Sequence, residues 1–407
     1  MKLKRKFLSI SCISILAAPA LAQEVEWSVE SGVGYETNVY HAPDHDYIDT
    51  ALPSLRPAGV AVSPQEVDSV FIPIEADVSI RNKVNKNADF VGELKFDTDV
   101  MLDSEAEDAT RTNVNLDLGV DYQITKMMRN KKTGKRTPRK RGEAYLGMFI
   151  STHDQVYVDR DTGLPKATTT GGVDISNKYS YQSFGIQGEY ARMFGKNEYS
   201  VSYVLEDLNY ETPQTGAEYD HVFNKLELGI KREFTKTTDL EVNYSYSMRD
   251  YSDRYARDLS GTYSSVNNDL LKYVYSEIGL DLGHRFSKKL KTHFEITNTV
   301  RSDEFVGYND YTKLALALRA RYKYSKQTTL RGKIKSYDID YDNALNFENP
   351  VEGEKESSGL DLSFKAVHKW HKNKSYYLEL KHTDRVSTDD RYDYTNDLIV
   401  LGAKWQY

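Results

Sequence analysis

Three cations stand at alternate positions in Arg331-Gly332-Lys333-Ile334-Lys335. On an extended chain that spacing puts all three side chains on one face. The same parity recurs nearby: Lys313, Arg319 and Arg321 precede them, and Lys365, Lys369, Lys381 and Arg385 follow. Earlier in the chain Glu75, Asp77, Glu93, Asp97, Asp99, Asp117 and Asp121 hold equivalent positions, with Lys95 the one cation among them. A wall acidic in one part and basic in another creates a transverse field that orients polar solutes and draws an anionic polymer to one side. The plainer reading of these positions is a set of solvated charges, partly paired across strands. The Arg331/Lys333/Lys335 ladder is the part best suited to guiding an anion.

Groupings suited to catalysis are sparse. His153-Asp154 and His382-Thr383-Asp384 place a histidine beside an aspartate, but no third group at a meaningful spacing suggests a triad. The acidic segments could collect Ca²⁺, yet no Asp-x-Asp-x-Asp-Gly spacing occurs, and no glycine-rich phosphate loop is present. The expectation is a protein that is not an enzyme, with no cofactor and no resident metal.

The elements that carry these residues are strands. Leu314, Leu316, Leu318, Ala320 and Tyr322 alternate with Lys313, Arg319, Arg321 and Lys323, and Leu360, Leu362, Phe364 and Ala366 oppose Asp361, Ser363 and Lys365. A face that stays charged along its whole length must meet water, so its apolar partner face must be buried in something, and lipid is the economical partner. Sixteen such runs are predicted, from 27–40 to 394–407. Connections after even-numbered runs are short and basic, as in Gly195-Lys196-Asn197 and Ser287-Lys288-Lys289, often with an aromatic just before them (Phe194, Phe234, Phe286, Tyr324, Trp370). Connections after odd-numbered runs are longer and acidic, as in Asp103-Ser104-Glu105-Ala106-Glu107-Asp108. This sorting fits an all-β, antiparallel, up-and-down transmembrane barrel with periplasmic turns and extracellular loops. The run 143–157 leaves its lipid face open between Ala144/Leu146/Met148/Ile150 and Tyr145/Gly147/Phe149. Residues 41–66 or 158–178 could hide a further pair of strands, which makes the count sixteen or eighteen.

The chain ends agree with export to a bacterial outer membrane. Residues 1–22 read as a signal peptide: a basic start through Lys6, an apolar stretch from Phe7 to Ala18, and a small-residue cleavage site ending at Ala22. Its removal takes the formal net charge from −7 to −11 and carries away Cys12, the single cysteine. The mature part, 23–407, then has no thiol chemistry, and its acidic balance argues against nucleic acid as a partner. No later segment approaches 18 apolar residues, so a transmembrane helix is not expected. The 31 tyrosines suit interfacial girdles and also sugar stacking. At the C-terminus, Ile399, Leu401, Ala403, Trp405 and Tyr407 share a face. This resembles the terminal signal recognised by the barrel-assembly machinery, with Trp405 and Tyr407 as its aromatic residues and tyrosine last instead of the commoner phenylalanine.

One connection on the periplasmic side breaks the rule of short turns. From Lys126 to Arg141 the chain carries nine basic residues, Lys126, Arg129, Lys131, Lys132, Lys135, Arg136, Arg139, Lys140 and Arg141, and no acid. Such a run is either solvated surface or a docking arm for a periplasmic partner or an anionic polymer.

The segment Gly32-Val33-Gly34-Tyr35-Glu36-Thr37-Asn38-Val39-Tyr40-His41-Ala42-Pro43 resembles the opening of the β-barrel porin 2 family, in which a Tyr-x-x-Asn-Val-(Tyr/Phe) segment precedes the first outer loop. The resemblance implies an outer-membrane pore encoded with exopolysaccharide or capsule genes, secreting polysaccharide together with short periplasmic polysaccharide-export proteins. Lipid and lipopolysaccharide would surround it. The leading expectation is therefore a secretion pore for an anionic or zwitterionic polysaccharide, with Tyr273, Tyr275 and Tyr337 offering weak stacking. The alternatives are a passive uptake porin for oligosaccharides or small anions, and an outer-membrane enzyme or adhesin.

Overall fold

The computed structural model describes residues 24–49, 60–129, 136–156, 158–159, 164–165, 175–211, 219–345 and 353–407. The expected signal peptide and its cleavage site lie outside them. Sixteen antiparallel strands close into one barrel in which every strand pairs with its sequence neighbours and the last pairs with the first. They are β1 (Glu24–Glu36), β2 (Ser69–Lys83), β3 (Ala88–Met101), β4 (Arg111–Arg129), β5 (Arg136–Asp154), β6 (Tyr181–Phe194), β7 (Asn197–Tyr210) and β8 (His221–Glu233). The second half consists of β9 (Thr238–Tyr255), β10 (Leu270–Arg285), β11 (Leu290–Asp303), β12 (Tyr311–Lys323), β13 (Thr328–Leu345), β14 (Glu354–His371), β15 (Lys374–Ser387) and β16 (Tyr394–Gln406). The count is sixteen, not eighteen. Among the described residues of 41–66 and 158–178 are the short ribbons Tyr47–Asp49/Val60–Val62 and Val158–Asp159/Leu164–Pro165, which stay outside the barrel.

Alternation decides the two faces. Leu314, Leu316 and Leu318 point outward and remain exposed, as do Leu146 (69 %) and Leu401 (62 %). Large apolar side chains cannot be left so bare in water across a whole sheet, so this exterior is a lipid-facing surface. The strands run to 13–19 residues, more than the ~9–11 that cross a bilayer, so their ends stand clear of the hydrocarbon. In β5 the register Asp121↔Tyr145 and Asp117↔Phe149 puts Tyr145, Gly147 and Phe149 inside, and Ala144, Leu146, Met148 and Ile150 in lipid. At the short-turn rim Phe194, Phe234, Phe286, Tyr324 and Trp370 are all exposed. Trp370 stacks on Tyr376 at 5.6 Å, and Arg192 and Arg232 lie over Phe194 and Phe234 at 5.0 and 5.2 Å. Rings that bury their faces and keep their cations wet are what a membrane interface selects.

Closure depends on the seam between β1 and β16, in register from Ser28↔Gln406 to Glu36↔Leu398. Trp27 and Tyr407 exchange backbone hydrogen bonds of 3.0 and 2.9 Å at its end and stack at 6.2 Å. On the inner side Glu30 meets Lys365 at 2.7 Å and Lys404 at 3.4 Å. Phe71 and Tyr377 lie over Gly34 and Gly402, where any side chain would collide with the ring. Glycine there lets an inward ring lie flat on the wall. Val39 and Tyr40 of the first long loop pack onto Phe71, Met101 and Val400, and the Tyr40 hydroxyl donates to the Glu105 carbonyl at 3.0 Å. The first loop therefore folds onto the inner wall beside the seam.

The long basic turn expected at 126–141 is largely not a turn. β4 and β5 continue through it, paired from Thr125↔Lys140 to Arg129↔Arg136 after a register shift at Ile124/Thr125. Neighbouring strands stop earlier, β3 pairing β4 as far as Tyr122 and β6 pairing β5 as far as Gly142. Residues 123–129 and 136–141 thus form a two-stranded ribbon that projects beyond the short-turn rim.

The two faces give a direct test on adjacent residues of β7. Val201→Arg, placed in lipid, should cost ~2–4 kcal/mol in urea unfolding from phospholipid vesicles. Ser202→Arg, placed in water between Glu189 and Glu227, should stay within ~0.5 kcal/mol of the parent.

Candidate functional site

All ten cations expected on the basic face, Lys313, Arg319, Arg321, Arg331, Lys333, Lys335, Lys365, Lys369, Lys381 and Arg385, occupy inward positions, as the registers Lys313↔Ile339, Arg319↔Lys333, Arg321↔Arg331, Ala317↔Lys335, Arg331↔Lys365, Lys369↔Ser375, Ser363↔Lys381 and Gly359↔Arg385 show. Their surroundings divide them. Arg319 bonds Asp281 at 2.8 Å and also Glu295. Lys365 bridges Glu30 and Glu379, and Lys381 reaches Glu379 at 2.9 Å. Lys313 lies over the Tyr337 ring at 4.2 Å. Among the described residues Arg321, Arg331, Lys333 and Lys335 have no carboxylate within ion-pair distance. They form the uncompensated part of the ladder.

The register adds two cations that the sequence reading did not place there. Along one hydrogen-bonded row Arg285 faces Lys291, Lys291 faces Arg321, Arg321 faces Arg331, and Arg331 faces Lys365. Five cations thus stand side by side on five adjacent strands, ~4.8 Å apart. Among the described residues only Lys365, at the end of the row, has carboxylate partners. Like charges directly opposite one another destabilise a sheet, so a chain with more acids than bases has kept a costly arrangement where a carboxylate would have relieved it. In sequence Arg285 falls on the charged face of its strand, opposite Ile278, Leu280 and Leu282, but nothing there joins it or Lys291 to the ladder. Only strand pairing reveals whom they face. The row opens onto a recess of about 530 Å³ lined by Lys291, Arg321, Arg331, Lys333 and Lys365, with His293 and Glu379 at its edge.

The acidic wall is built differently. Glu75, Asp77, Glu93, Asp97, Asp99, Asp117 and Asp121 all face inward, but most are answered locally. Asp77 accepts from Ser28 at 3.0 Å, Glu93 pairs with Lys95 at 3.0 Å, and Asp97 accepts from Asn113 at 2.6 Å. Asp99 pairs with Arg111, Asp121 with Arg81, and Asp117 accepts from Tyr145 and Gln187. Lys95 is thus not the one cation there, because Arg81 and Arg111 share the wall. The division expected from the sequence becomes an acidic side held by three ion pairs and by neutral donors, facing a basic side whose ladder keeps four cations without a carboxylate partner among the described residues.

The remaining candidates scatter. His153 points inward, bonded to Asn113 and Gln155, while Asp154 points the other way and accepts from Ser180. His382 lies on the outer face with Asp397 at 2.8 Å. Neither grouping places a nucleophile beside a base. Tyr273 is packed with Tyr251, Ala256 and Leu271 under a long loop and so is not offered to solvent, whereas Tyr275 and Tyr337 are half-exposed on the inner wall. Of the expected docking residues, Lys131, Lys132 and Lys135 lie outside the described residues. The backbones of Arg129, Arg136, Arg139, Lys140 and Arg141 belong to the projecting ribbon. Trp405 faces outward, and Tyr407 is highly exposed at the seam's end.

At the long-loop rim the first and last loops are tied together. The Asp44 amide donates to the Asp393 carbonyl at 3.2 Å, and His45 stands between Asp44 at 3.0 Å and Asp390 at 3.5 Å. His45, Asp390 and Asp393 bring ligand atoms within 4.8 Å of one another, a grouping also common at surfaces that hold no ion.

No family model matches the chain, and no curated protein matches it. Solved structures match at the level of fold. OccAB1 of Acinetobacter baumannii is 11 % identical over 95 % of this chain and 97 % of its own, with a TM-score of 0.47. A loop-deletion form of OmpT, an outer membrane protein of Vibrio cholerae, is 13 % identical over 94 % of this chain and 99 % of its own, at 0.45. A bacterial polysaccharide outer membrane secretin is 11 % identical over 94 % and 98 %, at 0.43. These likenesses concern the barrel alone. The closed sheet and its bare apolar exterior make this fold that of an outer-membrane β-barrel channel.

The loop tie should depend on pH. Burial, with Asp390 and Asp44 nearby, pushes Asp393 up to about 6. The hydrogen bond to Asp44 raises His45 above its usual value. A carboxyl whose folded pKa is raised loses its contribution as pH climbs from the unfolded value towards the folded one, and a raised histidine loses its own as pH rises through the folded value. Both act in the same direction. Amides of residues 38–48 should therefore exchange faster at pH 8 than at pH 5, after correction for intrinsic rates, and Asp393→Asn should flatten that dependence.

Proposed function

We propose that this chain is an outer-membrane pore through which an anionic polysaccharide leaves the cell. The uncompensated row Arg285–Lys291–Arg321–Arg331 carries the reading. A row of cations on four adjacent strands offers an anionic chain many weak contacts, which permit passage where a single tight site would arrest it. The acidic side opposite would keep the polymer on the basic side. The resemblance of residues 32–43 to the β-barrel porin 2 family supports the same assignment. The projecting ribbon, on the side expected to be periplasmic, would meet a periplasmic export protein. Export of the chain itself, removal of residues 1–22 and insertion by the barrel-assembly machinery through Trp405 and Tyr407 belong to this reading.

The pore is expected to favour anions. Replacing Arg321, Arg331, Lys333 and Lys335 together by glutamate should move the reversal potential in a KCl gradient from anion-favouring to cation-favouring. An unchanged potential would remove the row from the conduction path. In the cell, deletion of the gene should abolish surface polysaccharide and leave polymer in the periplasm. Normal secretion with a growth defect on an anionic nutrient would favour uptake of small anions through the same row.

A further inference from the structure

Above the cationic recess the inner wall holds a second one, of about 430 Å³, on strands β10 to β13. Its volume lies within the ~300–1,000 Å³ usual for small-molecule sites. Lys333 lines both recesses. The lining of the second is of another kind. Tyr275 and Tyr311 supply aromatic surface, Thr297 and Thr299 hydroxyls, Glu277 and the Arg319-paired Glu295 carboxylates, and Lys313, Lys333 and Lys335 positive charge. Between them the wall is low, with Ala315 and Ala317 in place of longer side chains.

The polar groups are set at different places around this space. Thr299 donates to Glu277 at 2.7 Å, which holds the carboxylate and leaves its second oxygen as an acceptor. Lys313 is held over Tyr337 at 4.2 Å. Lys335 has no carboxylate partner among the described residues. Tyr311 is fixed from behind by Arg301, 4.1 Å from its centroid, whose guanidinium is itself held by the Asn309 carbonyl. A rigid aromatic surface beside hydroxyls, the Glu277 acceptor and the ammonium groups of Lys333 and Lys335 matches a particular chemistry. An apolar face of C–H groups would lie on the rings, a rim of hydroxyls would meet Thr297 and Glu277, and a single negative charge would meet Lys335. A uronic acid residue has all three.

We propose that this recess is a subsite for one carboxylate-bearing sugar ring of a polysaccharide in transit, with Tyr275 and Tyr311 against the ring face and Lys335 on the carboxylate. The inference rests on the reading of the barrel as a polysaccharide pore and narrows its cargo to acidic sugars. The cationic row would answer any polyanion, whereas this recess asks for a sugar ring.

The test uses the full-length barrel in a planar bilayer, with current block by three probes: oligogalacturonate, maltohexaose and poly-glutamate of similar length. Oligogalacturonate should block best. Tyr275→Ala with Tyr311→Ala should raise its dissociation constant roughly tenfold and leave poly-glutamate block and ion selectivity unchanged. Lys335→Gln should weaken oligogalacturonate and leave maltohexaose as it was. Equal block by oligogalacturonate and poly-glutamate, insensitive to the tyrosine pair, would overturn the subsite, as would stronger block by maltohexaose than by oligogalacturonate. Heat-modifiable migration on gels and stable channel insertion by each variant show that the barrel still folds. Sensitivity to the tyrosine pair in a strain that secretes normally without the gene would keep the subsite and remove the export reading.

Discussion

Everything in this molecule follows from the need to pair each backbone N–H and C=O inside lipid, where no water can substitute. An open sheet would leave two bare edges. Closure of β1 on β16 removes them, and it fixes the parity of every strand between. Once parity is set, each residue in the membrane belongs either to lipid or to the lumen. Leu316 and Arg321 differ in fate because five positions separate them, an odd number.

That constraint also explains why charge on the inner wall carries information. The outer face has little freedom, since lipid admits only apolar side chains and interfacial rings. The lumen admits almost anything soluble. Neutralisation is the inexpensive choice there, and the walls formed by β2 to β5 take it in part, through pairs such as Arg81–Asp121 and Arg111–Asp99. The row from Arg285 to Arg331 departs from it on four successive strands. Places where a sheet breaks its own pairing preference without local relief are where function is to be sought.

Much of the architecture was legible from alternation alone. The period-two runs gave the strands, and the contrast between Gly195-Lys196-Asn197 and the acidic connections gave the two rims. Alternation could not choose a face for β5, because Tyr145 and Phe149 are as apolar as Leu146 and Met148. Only their partners Asp117 and Asp121 settle it. Nor could sequence show which cations meet, since Arg285 and Arg321 lie 36 positions apart and become neighbours of one another's neighbour only through Lys291. The basic stretch 126–141 misled for a different reason. Lysine and arginine are usual in turns, and nothing local announces that the pairing of β4 with β5 continues past Tyr122.

The seam has a consequence for how the barrel comes into being. Residues 24–36 pair on one side with β2, but their other edge finds its partner only in 394–406, so β1 waits for β16. Every other pairing is between sequence neighbours and can form early at small entropic cost, whereas this one spans the whole chain. Until Tyr407 exchanges hydrogen bonds with Trp27, the sheet is a ribbon with two reactive margins. Assembly is therefore all or nothing at its final step, and the clasp that completes it joins residues 380 positions apart, Trp27 and Tyr407.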